Sequence, residues 1–124
     1  MNWLEQALHD IGEDLGVGPI ELDENHSARL MIDSDLLGIE HHGEEVLIYL
    51  SGALDVPDEG SWLQRLERVH YNQRLPRSVQ LALAAENQLV ALSRCPDREF
   101  SHPLFLQTMD LLSQVIADCR QASA

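Results

Sequence analysis

Near the start of the chain, apolar residues recur at helical spacing with acidic residues between them, which predicts an amphipathic helix. Asn2 and Glu5 form a capping pair at its first turn. Gly16 stands where a left-handed C-cap is needed, and Gly18-Pro19 prevents the helix from continuing. The apolar stripe of this helix consists of Leu4, Ala7, Leu8, Ile11 and Leu15.

The pattern then changes to the alternation that is typical of β-strands. Ile20 and Leu22 alternate with acidic residues as in a short strand, and "DENH" predicts a turn. "SARLMID" alternates again, with Ala28, Leu30 and Ile32 on one face. "LLGIEHHGEEVLIYL" predicts two strands joined at His42-Gly43, and "SGALDVPDEG" predicts a loop.

A middle helix and a hairpin follow. Ser61 and Gln64 begin the middle helix by the same capping logic, and the helix ends before Leu75-Pro76. "VQLALAAENQLVALSRC" predicts a hairpin that turns at Glu86-Asn87, because Asn tolerates the left-handed turn conformation. The apolar stripe of the middle helix consists of Leu63, Leu66 and Val69, with His70 beside them.

The last helix completes a simple order of elements. Ser101 and Pro103 begin it. The full order is α-β-β-β-α-β-β-α with no repeat or internal linker, so we expect a single domain over residues 1–124. Helices gathered against an antiparallel sheet predict an α+β fold, a sandwich of two layers. The stripe of the last helix consists of Phe105, Met109, Leu112, Ile116 and Cys119.

The strands carry more apolar residues than one sheet face requires. When alternate residues of "EEVLIYL" face the helices, Leu47 and Tyr49 lie on the opposite face, and Met31 and Leu36 join them by the same counting. One explanation is a sheet that is covered on both sides. The other is an apolar patch that binds another chain. Because the predicted helices lie mostly on one side, the second explanation is favoured.

The middle helix raises a similar question. Trp62 lies beside Leu63 and Leu66 and widens the apolar stripe beyond what one sheet face needs. A second subunit would cover this wider stripe, and so would a core contact within the chain.

The charge of the chain is strongly negative. It has 21 acidic residues against 8 Arg, with no Lys and a net charge of −13. Nucleic acid is excluded as a direct ligand, and so is docking to an anionic bilayer, because both need a basic face. The acidic surplus either keeps the protein soluble or steers a basic partner, and the sequence leaves both readings open.

No arrangement of residues indicates catalysis, a cofactor or a metal. His41 and His42, with acidic residues nearby, form the one cluster that resembles a metal site. Neighbouring strand residues point to opposite faces, so a solvated hairpin tip is the favoured interpretation. The chain lacks a Gly-rich phosphate loop before a helix, a nucleophile elbow and an HExxH motif. We therefore expect a protein that is not an enzyme.

The cysteines and the N-terminus favour a cytoplasmic protein. Cys95 and Cys119 lie far apart in sequence, which favours two free thiols in a reducing compartment over a disulfide. The N-terminus resembles no signal peptide, and every apolar run is too short to insert into a membrane.

Several segments, together with the order of elements, the size and the acidity, resemble a known family. The opening helix followed by "LGVGPIELDEN", then "LMID" and "LLGIEHHGEEVLIYL", is similar to the N-terminal half of the class I type III secretion chaperones, the CesT-like family. "MNWLE", "DLGV", "ENQLVALS" and "HPLFLQTMDLL" resemble a narrower group, in which the chaperone is one half of a heterodimer. The client of that group is a secretion gatekeeper of the YopN type.

The resemblance implies a cytosolic, ATP-independent chaperone that works as a dimer. It would hold the N-terminal segment of a secreted effector or gatekeeper in an extended, secretion-competent form. The dimer would be a homodimer or a heterodimer with a second small acidic chaperone. One alternative is a regulatory binding protein of the same fold that sequesters a transcription-regulatory partner. A small metal-dependent enzyme that uses the two adjacent histidines is less favoured.

The resemblance also assigns expected roles to residues. Client contact falls on the first helix and the first three strands, and subunit contact falls on the middle helix. The candidate client-binding residues are Leu30, Met31, Ile32, Leu36, Leu47 and Tyr49. The candidate dimer-interface residues are Trp62, Leu63, Leu66 and Val69. Strand alternation does not let the whole client-binding set face one way, so some members are expected to be core.

Overall fold

The computed structural model describes residues 3–32, 35–53, 79–84 and 88–121. Two long helices and five strands lie in these ranges, with a short 3₁₀ turn at Asp97–Glu99. The predicted middle helix, the predicted turn at Glu86-Asn87 and the predicted cap Asn2 lie outside the described residues. The helices are α1 (Trp3–Asp14) and α2 (His102–Gln121), and the strands are β1 (Ser27–Ile32), β2 (Asp35–His42), β3 (Glu45–Ala53), β4 (Val79–Ala84) and β5 (Gln88–Pro96).

The strands form one antiparallel sheet with the spatial order β1-β2-β3-β5-β4. Buried residues of α1 and α2 pack with the sheet in a single core. The α+β fold with an antiparallel sheet is therefore confirmed. Neither described helix is long and apolar enough to cross a membrane.

The core lies between the helices and one face of the sheet. Strand alternation supplies it, because every second residue of a strand points the same way. Leu37 of β2, Ile48 of β3 and Leu89 of β5 are at most 2% exposed. The helices contribute fully buried residues to the same layer: Leu8 and Ile11 from α1, and Phe105, Leu112 and Ile116 from α2.

The end of α1 follows the predicted signals. The Val17 N–H donates to the carbonyl oxygen of Gly12 at 3.0 Å, and the Gly16 N–H donates to that of Glu13 at 3.1 Å. This pair of bonds is a Schellman motif, with Gly16 at φ 75° in the position that requires a left-handed backbone. The glycine therefore ends the helix as its sequence position predicts.

The short strand predicted at residues 20–23 is wrong. This segment belongs to no strand, although Ile20 is buried in the core. Asp23 instead closes a turn: its Oδ1 accepts the N–H groups of Asn25 and Ser27 at 2.8 and 3.0 Å, and its own N–H donates to the Ser27 carbonyl at 2.8 Å. The apolar residues of this segment alternate because they anchor a loop in the core.

The hairpin between β2 and β3 turns one residue later than predicted. Its two loop residues are Gly43 and Glu44, since His42 is still paired with Glu45. Gly43 has φ 61°, which suits the first central position of a tight hairpin turn of type II′. The strand β3 also continues to Ala53, so the predicted loop is wrong for residues 51–53, which pair with β5. The predicted pair of strands is otherwise confirmed.

The start of α2 is capped as the sequence predicts. The Ser101 hydroxyl accepts the N–H of Leu104 at 3.1 Å, which is the bond expected of an N-cap residue. Phe105 follows at once and is fully buried, with its ring 6.4 Å from that of Phe100 in an edge-on arrangement. This cap and the aromatic pair fix the end of the helix against the sheet.

Candidate functional site

The side of the sheet opposite the helices, called the second face below, carries the strongest candidate site. Strand register places its residues in rows that cross the sheet. One row runs from Arg29 through Gly38 and Tyr49 to Leu92. The next rows contain Met31, Leu36, Ser51 and Val90 on one side, and Ser27, Glu40, Leu47 and Arg94 on the other.

The six candidate client-binding residues are divided between the two faces. Leu30 and Ile32 lie on the helix side and pack against the core. The second face holds the other four: Met31, Leu36, Leu47 and Tyr49. The four candidate dimer-interface residues, Trp62, Leu63, Leu66 and Val69, lie outside the described residues.

The second face also contains two apolar residues that the sequence reasoning missed. Val90 and Leu92 of β5 are half-buried and lie beside Ser51 and Tyr49 of β3. Their signal is the unbroken apolar run "LVAL" in β5, which is expected when both faces of a strand are apolar. The apolar centre of the second face therefore extends over β1, β2, β3 and β5.

A glycine under an aromatic ring shapes the middle of the second face. The ring of Tyr49 covers Gly38 so closely that a Cβ at position 38 would overlap the ring. Tyr49 and Leu47 remain half-buried, and Met31 is 63% exposed. The ring thus lies across two strands, on the same face as the exposed Met31.

Charged residues border this apolar centre unevenly. Arg29 and Arg94 are exposed and lie on the second face at opposite sides of the apolar centre. Neither forms an ion pair with another described residue. Glu40 lies near Leu47, but its carboxylate is 2.7 Å from His42 Nε2. Within the described part of the chain, the two arginines are therefore the cations that a ligand on this face would meet.

The outer edge of β1 offers backbone groups for pairing. The His41 N–H donates to the His26 carbonyl at 2.9 Å, so the backbone groups of residues 28, 30 and 32 point toward β2 and those of residues 27, 29 and 31 point outward. The Asp23 turn occupies both backbone groups of Ser27. In the sheet formed by the described strands, the outward groups of Arg29 and Met31 lie at the edge, beside an open cleft of about 410 Å³.

A second cleft, of about 630 Å³, lies between α1 and the segment that leads to β1. Leu4, Leu8 and Ile20 are buried residues that line it, while His9 and Glu21 stand across it with Nε2 and Oε1 at 3.9 Å. An apolar floor with a polar rim suits an apolar side chain of a bound polypeptide.

The adjacent histidines make separate contacts on opposite faces. His41 Nε2 lies 3.0 Å from Asp97 Oδ2, and His42 Nε2 lies 2.7 Å from Glu40 Oε1. Among the residues that the structure describes, no group of three or more His, Cys, Asp or Glu side chains is placed to hold a metal ion. The His41 contact joins β2 to the 3₁₀ turn.

Cys95 is a free thiol within the described residues. Burial raises its pKa, and the carboxylates of Glu99, Asp97 and Glu45 raise the pKa further. A thiol with a raised pKa carries little thiolate at neutral pH, so Cys95 is poorly suited to act as a nucleophile or a redox sensor.

Several solved structures share the fold, and they include chaperone–effector complexes and YbjN, a putative transcription regulator from E. coli. A chain of the ExsC–ExsE complex matches with a TM-score of 0.77 and 15% sequence identity, over 95% of this chain and 91% of that one. A chain of the HopA1–SchA chaperone–effector complex matches with a TM-score of 0.68 and 18% sequence identity, over 96% of this chain and 94% of that one. A third match is a chain from the structure of the Yersinia pestis type III secretion chaperone SycH in complex with a fragment of YscM2. Its TM-score is 0.67 and its sequence identity is 13%, over 96% of this chain and 98% of that one.

At these identities the structural matches show the fold alone. No curated protein sequence matches the chain at a significant level. The family model described as the Tir chaperone protein (CesT) family matches residues 6–114, which is most of the sequence and includes the sheet and most of both helices. The chain is therefore a member of the Tir chaperone protein (CesT) family.

Proposed function

We propose that the protein is a type III secretion chaperone that binds the N-terminal segment of a secreted protein. The observation that carries the proposal is the apolar centre of the second face, which the two described helices leave uncovered. Monomeric proteins rarely expose contiguous apolar area of this kind unless it binds something. Family membership and the chaperone–effector complexes among the structures of the same fold support the same conclusion.

The second face and the neighbouring edge of β1 would bind one extended client segment. Side chains of the client would contact Met31, Leu36, Leu47 and Tyr49, and the outward backbone groups of β1 would pair with the client backbone. A disordered segment loses conformational entropy when it binds, so it needs a large contact area to compensate. An apolar face beside an open strand edge supplies such an area.

Not every candidate residue has the same part in this proposal. Val90 and Leu92 join the client-binding set because they continue the apolar centre. Leu30 and Ile32 act through the core, since their side chains pack against it on the other side of the sheet. The 630 Å³ cleft beside α1 would take a further apolar side chain of the client.

The finer assignment is a SycN-like chaperone whose client is a gatekeeper of the YopN type. The segments "MNWLE", "IEHHGEEVLIYL" and "HPLFLQTMDLL" support it. The working form would be a dimer, with Trp62, Leu63, Leu66 and Val69 in the subunit interface. A SycN-like protein would pair with a second small acidic chaperone, whereas other members of the family would pair with themselves.

The test is co-expression with N-terminal segments of proteins secreted by the same bacterium, followed by size-exclusion chromatography of the complex. We expect wild-type protein to hold one such segment in a soluble complex without ATP. Met31→Asp with Leu47→Asp should abolish the complex, because two carboxylates would be desolvated on the second face. Leu106→Asp is the matched control, since Leu106 is 39% exposed on α2, away from this face.

Each result has a definite meaning. A complex that survives the double substitution on the second face contradicts the proposed binding surface. A complex with a regulator of transcription and with no secreted segment would favour a regulatory binding protein of the same fold. Sedimentation of the chain alone, and then with the product of a neighbouring gene for a small acidic protein, distinguishes a homodimer from a heterodimer.

A further inference from the structure

The charges around the second face specify its ligand further than its apolar centre does. Acidic residues dominate the chain, with 21 Asp and Glu against 8 Arg. Three arginines have described side chains, and two of these, Arg29 and Arg94, lie on the second face. The rows that contain Tyr49 and Ser51 include no acidic residue in the described strands.

The exposed acids of the described chain lie mainly elsewhere. On α1, the exposed residues Glu5, Asp10 and Glu13 belong to the side of the molecule that carries the helices. On the second face, Glu40 is held by His42, and Glu45 lies at the hairpin end of the sheet. A protein with so many carboxylates nevertheless leaves Arg29 and Arg94 without an ion pair among its described residues.

We infer that the client segment on the second face carries two carboxylates, one for Arg29 and one for Arg94, on either side of apolar residues that contact Leu47, Tyr49 and Leu92. This inference rests on the proposed function and specifies the chemistry of the ligand. Unpaired arginines beside an apolar centre are complementary to carboxylates, and such pairs fix the register of a bound segment more than they add affinity.

Sheet geometry gives the spacing of these carboxylates. Arg29 on β1 and Arg94 on β5 are separated by three strand-to-strand steps. They lie in adjacent rows of the second face, which are two residues apart along the strands. With strands about 4.8 Å apart and about 3.3 Å per residue, their Cα atoms are separated by about 16 Å. An extended segment covers this distance in about five residues. Because alternate side chains of an extended chain point the same way, we expect two Asp or Glu four or six positions apart with apolar residues between them.

Two second faces packed against each other fit poorly. Face-to-face packing of two copies would bring two pairs of arginines and two copies of Glu40 with its bound His42 into one interface. Of the helices that the structure describes, α1 and α2 already bury their apolar stripes in the core, so neither offers a complementary surface. A separate polypeptide with one acidic residue on each side of an apolar stretch meets both requirements.

The experiment uses an array of 15-residue peptides that tiles the N-terminal segments of the proteins secreted by the same bacterium. Each peptide is present in three versions: native, with Asp and Glu changed to the amides, and with Asp and Glu changed to Lys. The full chain is compared with the variant Arg29→Glu/Arg94→Glu. The variant Arg98→Glu is the matched control, because Arg98 is exposed on the 3₁₀ turn outside the second face.

We expect the wild type to bind native peptides with two acids four or six positions apart, and to bind their amide versions about tenfold more weakly. The double variant should lose the native peptides and bind the Lys versions, while Arg98→Glu should behave as the wild type does. Circular dichroism of each variant checks that the fold is kept.

The outcomes separate this inference from the proposed function. If the wild type binds peptides whose affinity does not depend on their acids or on the two arginines, this inference is wrong and the chaperone assignment stands. If no peptide binds to any variant, both fail. If the double variant changes self-association in sedimentation and leaves peptide binding as it was, the second face is an interface between copies and the inference is overturned.

Discussion

The aromatic ring of Tyr49 on β3 lies directly over Gly38, its cross-strand neighbour on β2. The backbone conformation does not require glycine at this position, because Gly38 does not have a positive φ. The glycine is needed because the ring occupies the space where a side chain would be. This relationship lets the Tyr49 ring lie over β2 in the middle of the second face.

Gly38→Ala is expected to destabilise the protein. The new methyl group would overlap the Tyr49 ring, and the overpacking should lower the free energy of unfolding by about 1–3 kcal/mol. Urea denaturation measures the effect. In a Tyr49→Ala background the same substitution should cost less, because the overlapping ring is gone, so a double-mutant cycle reports the coupling. Equal costs in the two backgrounds would show that the ring is not the cause.

Gly12→Ala should also destabilise, although it lies in a helix. Exchanging Gly for Ala within a helix normally stabilises by about 1 kcal/mol. A Cβ on Gly12 would, however, overlap the carbonyl oxygen of Gly18 and approach the Ile20 nitrogen to 2.9 Å. These backbone atoms lie between the end of α1 and the buried residue Ile20, and they cannot move aside as the end of a flexible side chain could. We therefore expect a loss of about 1–3 kcal/mol.

Ser113→Ala is the matched control for Gly12→Ala, since it is an exposed position of α2. Its denaturant midpoint should change little or rise slightly with helix propensity. A rise in the midpoint of Gly12→Ala itself would contradict the close contact with the loop.

Much of the fold follows from patterns that are local in the sequence. Residues within one turn of each other determine where α1 ends, at Gly16, and where α2 begins, at Ser101. Alternation alone places Leu47 and Tyr49 on the face of β3 opposite its core residues. These features were predicted because neighbouring side chains determine them.

Other features depend on strand register and were not predictable from one sequence. Nothing local indicates that Tyr49 would lie over Gly38, or that Arg29 and Arg94 would border the same face, because three strand pairings connect them. The wrong strand at residues 20–23 has a related cause. Alternation indicates which side chains are buried, but a strand also needs a partner for its backbone, and Asp23 supplies a turn instead.

Leu30 and Met31 are neighbours with opposite expected roles. Leu30 packs against the core, so Leu30→Ala should cost about 2 kcal/mol of stability. Met31 is 63% exposed, so Met31→Ala should change stability by no more than about 0.5 kcal/mol while weakening capture of the client segment. Thermal unfolding and the co-expression assay together test the pair. A strongly destabilised Met31→Ala would show that this side chain is covered.

The thiol of Cys95 should react slowly and should make stability depend on pH at the alkaline end. Burial, with Glu99, Asp97 and Glu45 nearby, raises its pKa above the ordinary value of 9.0. Above pH 9 the thiol therefore loses its proton in the unfolded chain and keeps it in the folded chain, which favours unfolding. The stability that the protonated thiol allows is fully present below pH 9 and is lost as the pH rises through the pKa of the folded state.

Iodoacetamide labelling in a Cys119→Ala background measures the reactivity of Cys95 alone. We expect labelling at pH 8 to be slower than for glutathione, and Glu99→Gln to speed it only in part because burial is the larger cause. In denaturation at pH 8 and pH 10, Cys95→Ala should lose less stability between the two pH values than its parent does. Labelling as fast as that of glutathione would contradict the raised pKa.

Adjacent histidines should respond differently to the same substitution. His41 bonds Asp97 at 3.0 Å with 26% of its side chain exposed, while His42 has 54% of its side chain exposed. His41→Ala removes a contact between β2 and the 3₁₀ turn and leaves a partly buried carboxylate without its partner, so it should cost about 1 kcal/mol of unfolding free energy. His42→Ala should stay within about 0.5 kcal/mol of the wild type.

Client capture should survive both substitutions, since the proposed function needs neither imidazole. Loss of client capture in the double variant, together with stoichiometric metal in the purified wild type, would revive a metal site at the hairpin and contradict the chaperone mechanism.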